Sequence, residues 1–166
     1  MSASVFFISD LHLGHEGALR WARDYRQGNN VQEMNYWLID QCNSVLTKRD
    51  TLYILGDLCF DNRDLKLVEQ INCFKKHLIL GNHDKFHLRE YLKYFDTVRA
   101  YTRYKGYWVS HMPLHEYDMV NCRVKGNIHG HLHQNNIEDS RYFNVSIEQS
   151  NGVPRTLEQL LKRERQ

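Results

Sequence analysis

Proline is scarce, with two in 166 residues, and no segment is of low complexity, so neither a proline-rich extended chain nor a disordered one is expected. No apolar run reaches 18 residues, which rules out a membrane-spanning helix on sequence grounds. The first residues, MSASVFFISDLHLGH, lack a basic stretch ahead of their short apolar run, and Asp10 and His12 interrupt it. They are read as a strand rather than a signal peptide. Neither charge sign dominates. A net charge of +2 is too slight to argue for a nucleic-acid or membrane surface. Cys42, Cys59, Cys73 and Cys122 form no Cys-x-x-Cys pair, so reduced thiols in a cytoplasmic protein are expected.

What is present is a globular composition, 42% hydrophobic and 25% charged, long enough to bury a core. No linker or repeat divides it, so residues 1–166 are expected to form a single domain. Ten histidines stand out, and five of them fall within 111–133.

Short apolar runs at 5–9, 51–55, 77–80 and 124–128 predict buried strands, with β-rich pieces at 97–102 and 105–110 and a last strand at 143–147. Helical spacing follows Asn30, where Glu33 completes a capping box, and resumes after 61–64. A helix is also predicted over 86–94. Thr156 with Gln159 is expected to cap a final one. Strands alternating with helices predict an α/β layered fold.

The polar clusters fall just beyond these strands. Asp10 and His12 follow the first, Asp57 the second, and Asn82 and His83 the third; His111 follows the strand at 105–110, and His131 and His133 the one at 124–128. In open α/β sheets ligands bind at that edge. One such residue alone reads as a helix cap or turn former. Imidazole, carboxylate and amide groups crowded on a single rim would desolvate and repel one another unless a cation neutralised them. Imidazole with carboxylate suits manganese, iron, zinc or nickel. Seven ligands exceed what one ion needs, and Asp57, alone after its strand, suits a bridge between two ions.

The motifs "DLH" at 10–12, "GD" at 56–57, "GNHD" at 81–84, "SHMP" around His111 and "GHLH" at 130–133 occur in this order along almost the whole chain. In them the sequence resembles the calcineurin-like metallophosphoesterase superfamily, above all its small, cap-less bacterial and phage members. The resemblance implies a four-layer αββα sandwich of two mixed β-sheets flanked by helices. It implies two divalent ions, manganese favoured over iron, zinc, nickel or magnesium. Asp10, His12, Asp57 and His133 would hold one ion, and Asp57, Asn82, His111 and His131 the other. Asn82 would also touch phosphate, and Asp84 would tie the loop. His83 would be catalytic, facing the scissile phosphate and protonating the leaving oxygen. The reaction implied is hydrolysis of phosphodiesters, cyclic nucleotides among them, or of phosphomonoesters, by a metal-bridging hydroxide attacking in line.

One stretch departs from the pattern. In the protein serine/threonine phosphatases "GDxVDRG" supplies an aspartate that orients the catalytic histidine and an arginine that grips phosphate. Here the run is "GDLCFDNRD", so Asp61 and Arg63 come one and two residues late. An Asp61–His83 dyad and an Arg63 phosphate contact are left open. So is His15, which reads equally as a residue at the mouth of the site or a helix cap. His115 reads as a substrate contact or as a hydrogen-bonded loop residue. His129 reads as structural, its side chain pointing away from the rim. Arg20, Arg23 and Arg26 read as a solvated stripe, and Tyr101, Tyr104, Tyr107 and Trp108 as cross-strand packing. A nuclease is the alternative enzyme, disfavoured by the charge balance. A scaffold that has abandoned chemistry, as in the retromer subunit of the superfamily, is disfavoured because His83 and all seven ligands are present. The expected partner is a small phosphate ester, with no membrane; oligomeric state is open.

Overall fold

The structure is a computed structural model and describes residues 3–163, without the side chain of Arg163. Its first sheet takes β1 (Val5–Ile8), β2 (Thr51–Ile54), β3 (Lys75–Ile79) and β4 (Thr97–Arg99), all parallel. A second sheet holds β5 (Tyr101–Tyr104), β6 (Tyr107–Ser110), β7 (Gly126–His129) and β8 (Tyr142–Asn144). β5 runs antiparallel to β6, and the rest of that sheet is parallel. The late β9 (Arg155–Thr156) returns antiparallel to β1, so both sheets are mixed. With its helices this is the α/β sandwich expected from the sequence.

Alternation along the strands makes two cores. Phe6, Ile8, Leu52, Ile54 and Leu78 face α2 (Val31–Asn43) through Met34 and Leu38, and the 3₁₀ segment Asn62–Gln70 through Leu65 and Val68. Phe7 and Ile79 point the other way, onto Val109, Ile128 and Phe143 of the second sheet. The sheets therefore pack face to face, and the carboxyl ends of β1, β2, β3, β6 and β7 reach one rim. No helix among the described residues is long and apolar enough to cross a membrane.

The helix begun by Asn30 starts as expected: Asn30 Oδ1 accepts from the Glu33 amide at 2.9 Å and Glu33 answers through the Asn30 side chain. Three elements differ from expectation. The helical spacing after 61–64 closes as 3₁₀ rather than α. The predicted strand 143–147 is regular only to Asn144; beyond it the chain passes from β7 to the end of β1, where the Ser9 amide donates to the Val145 carbonyl at 3.0 Å and the Ile147 amide to the Ser9 carbonyl at 3.2 Å. The chain then enters α5 (Ile147–Ser150). The predicted helix 86–94 is regular only over Leu88–Tyr91.

Candidate metal centre

At the rim the backbone is held in a costly form. Asp10, His12, Asp57, His131 and His133 all have φ between +48° and +69°. Residues with a Cβ seldom adopt this left-handed region, and clusters of such strain mark functional sites. Glycines make the approach possible. A Cβ on Gly56 would lie 2.6 Å from the Gly81 backbone and 2.6 Å from His111 Nδ1. Asp84 stitches the two loops together, with Oδ2 accepting from the amides of Gly81 (2.8 Å) and Asp57 (2.9 Å) and Oδ1 from Leu58. It ties the loop as expected, and burial pushes its pKa up.

The predicted residues converge. Asp10, His12, Asp57 and His111 are all buried. Donor atoms of Asp10, His12 and His133 lie within 4.8 Å of one another, as do those of Asp10, Asp57 and His111. Asp57 stands between two histidines: Oδ2 is 3.9 Å from His12 Nε2, and Oδ1 is 3.5 Å from His111 Nε2. His133 Nε2 is 3.9 Å from Asp10 Oδ1. These gaps are too long for good hydrogen bonds. They are close to the spacing of about 3.4 Å between two atoms bound tetrahedrally to one ion at about 2.1 Å.

The polar inventory supports a cation. Asp10 Oδ2 accepts from Ser146 Oγ and the His131 amide, but Oδ1 is buried without a partner. Neither ring nitrogen of His12 has one, and burial, with Arg26 next, lowers its pKa to about 2, leaving a neutral imidazole. His111 Nδ1 donates to the Leu55 carbonyl at 2.7 Å, so its Nε2 lone pair faces Asn82 Oδ1 at 2.9 Å. Two acceptors so close require a cation or proton between them, or the amide turned. The His131 ring stands beside His111, with centroids 5.1 Å apart. The residues present fit divalent ions.

His83 sits over the rim, its amide donating to Asp57 Oδ1 at 2.9 Å and its ring 4.9 Å from Phe60 and 6.1 Å from His12. His15 is at the mouth: it makes no side-chain cap bond to its helix, and its ring stacks on Phe60 at 4.2 Å. The Asp61–His83 dyad is not formed. Asp61 accepts from the Arg63 amide at the start of the 3₁₀ segment and pairs with the Arg63 guanidinium, whose side chain is 88% exposed. The two late residues satisfy each other, so Arg63 is drawn to solvent. His115 is also elsewhere, capping α4 (Glu116–Asn121) through a bond from the Tyr117 amide. His129 is structural, as expected: wholly buried, with Nδ1 on the Gly130 carbonyl.

Four contributors were missed. Arg26 is 2% exposed rather than on a solvated stripe, and it pairs with buried Glu148, which accepts from His133 Nδ1 at 3.1 Å. Glu148 follows a strand-like run, the same signal that marked the other residues of the rim. Trp21 and Phe60 rim the site at 49% and 40% exposure, Trp21 edge-on to His133 at 4.7 Å. A cleft of about 350 Å³ runs from Trp21 along His131, His133, Gln134 and Asn135. A larger cleft, about 700 Å³, lies at the opposite strand ends by Ser4, Thr47 and Asp50, and Asp50 there is consumed by bonds to Ser4 and Thr47.

The model of the calcineurin-like phosphoesterase family matches residues 3–165. Uncharacterized protein MJ1445 of Methanocaldococcus jannaschii is 31% identical over 169 residues, 95% of this chain and 89% of that one. The gene 66 protein of Mycobacterium phage L5 is 33% identical over 93 residues, 51% of this chain and 42% of that protein. Among solved structures, the Aquifex aeolicus protein AQ665 superposes with a TM-score of 0.78 at 25% identity, covering 98% of this chain and all of that one.

Proposed function

Since the chain belongs to the calcineurin-like phosphoesterase family, we propose that it is a dinuclear-metal phosphoesterase acting on phosphodiesters that carry an aromatic group, cyclic nucleotides among them, or on the corresponding monoesters. The observation that carries the reading is the buried rim of partnerless donors, Asp10 Oδ1 and His12 Nε2 foremost, facing Asp57, His111 and His133. In this reading Asp10, His12, Asp57 and His133 hold one divalent ion, and Asp57, Asn82, His111 and His131 the other. Manganese is favoured. Two such ions supply activation of water and neutralisation of phosphate charge.

The chain's own residues do the rest. Asp57, fixed by the Asp84 tie, holds the two halves in register. His83 is placed beside the ions, its loop anchored by its own amide on Asp57, and gives a proton to the departing oxygen. Asn82, exposed at the rim, contacts phosphate. The indole of Trp21 and the phenyl of Phe60 offer π-faces to a base or aryl group, and the adjoining cleft is at the small end of ligand sites. Free thiols fit a cytoplasmic setting.

Metal content by mass spectrometry beside turnover of bis(p-nitrophenyl) phosphate tests this. His83→Ala should keep its metal and lose about 10²–10⁴-fold in kcat, and Asp57→Ala should lose both. Full activity in metal-free Asp57→Ala protein would end the proposal.

A further inference from the structure

We propose that the buried Arg26–Glu148 ion pair is the positioning element of the metal centre, presenting His133 Nε2 to the ion and holding the Asp10–His12 turn in shape. This rests on the metal reading of the rim. Both side chains are 0% exposed. Arg26 Nη1 donates to the Leu11 carbonyl at 2.7 Å, and Nη2 to the Asp10 carbonyl at 2.6 Å and to Glu148 Oε1 at 3.1 Å. One guanidinium thus grips two successive carbonyls of a turn whose flanking residues, Asp10 and His12, are both at positive φ.

Glu148 acts on the other side. Its Oε2 lies 3.1 Å from His133 Nδ1, and a carboxylate accepts, so Nδ1 carries the hydrogen. The lone pair is then on Nε2, which faces Asp10 Oδ1 at 3.9 Å. A carboxylate behind a ligating histidine fixes ring orientation and tautomer in this way. From Asp10 to Glu148 the network joins residues 138 positions apart. Folding alone gives no reason to keep it, because an apolar pair of similar volume is often neutral or stabilising where a buried ion pair stands.

The test is the double variant Arg26→Met/Glu148→Leu, an apolar replacement that avoids stranding either charge. Made metal-free and shown to be folded by circular dichroism, it is titrated with Mn²⁺ and followed by electron paramagnetic resonance. At least one binding step should weaken about 10–100-fold. Unchanged affinities in the folded variant overturn the proposal while leaving the metal reading intact; no Mn²⁺ binding by the wild type overturns both. A second measurement needs no variant. Long-range ¹H–¹⁵N spectra of the metal-free wild type at pH 8 should show His133 as the Nδ1–H tautomer, and the Nε2–H tautomer overturns the proposal even if the double variant does not fold.

Discussion

Replacing Asp57 by asparagine should uncouple the stability of the protein from divalent metal. Asparagine keeps the shape and the oxygen that accepts from the His83 amide, and removes only the charge facing His12 and His111. In the wild type, an ion present at 100 times its Kd adds about 2.7 kcal/mol to folding stability. Two ions add about 5 kcal/mol, and for a chain of this size each kcal/mol is worth about 2–4 °C, so melting should rise by about 10–20 °C. The variant, lacking the group proposed to be shared by two ions, should rise by less than about 5 °C. Without metal the order reverses or levels. Asp10 and Asp57 place carboxylate oxygens within 4.8 Å, and two like charges at that distance repel by about 3.5 kcal/mol at an effective dielectric of 20. Metal-free Asp57→Asn should therefore melt no lower than metal-free wild type. Scanning calorimetry in chelator and in Mn²⁺ reads all four states. Equal gains in both proteins, or a metal-free variant melting far below the wild type, would refute the reasoning.

Acid should weaken the metal-free protein through its buried imidazoles. Burial lowers the His129 pKa from 6.5 to about 4, so the unfolded chain binds that proton first and stability falls as pH drops from 6.5 to about 4, by about 3 kcal/mol in all. Denaturant titrations of His129→Leu over that window should show a shallower slope, and an unchanged slope speaks against it. Gly130→Ala sets a Cβ 1.9 Å from Ser9 Oγ and 2.5 Å from Asp10 Oδ2. With Ser9 fixed on the Leu55 carbonyl, the variant should lose about 1–3 kcal/mol in urea unfolding and bind Mn²⁺ more weakly; wild-type values for both would show that the site has slack. Trp21→Ala should raise KM about tenfold for an aryl diester but not for a dialkyl diester such as glycerophosphoethanolamine, and an equal rise for both removes the indole from substrate contact.

Much of the site was legible because it obeys a positional rule. A polar residue just past a buried strand lands on the rim, and Asp10, Asp57, Asn82, His111, His131 and His133 all arrive that way. The left-handed backbone at Asp10, His12, Asp57, His131 and His133 was not legible, since Asp and His tolerate positive φ better than most residues but do not require it. Arg26 was misread because a period of three places it with two exposed arginines; it lies beyond the end of α1 (Glu16–Trp21), after turns at 22–25, and reaches inward onto the Asp10 and Leu11 carbonyls. Asp61 and Arg63 show the limit of spacing. Two residues apart, they satisfy each other before either can reach His83. The strand predicted at 143–147 divides after Asn144, because its last residues leave β7 and pair with Ser9 beyond β1, a crossing between sheets that an apolar run does not announce.

Anomalous diffraction from crystals grown with Mn²⁺ bears most directly on the central claim. Two peaks about 3.5–4 Å apart are expected on the rim, with Asp57 reaching both and His133 and His111 on opposite sides. A single ion, or ions bound away from Asp10 and Asp57, would contradict it.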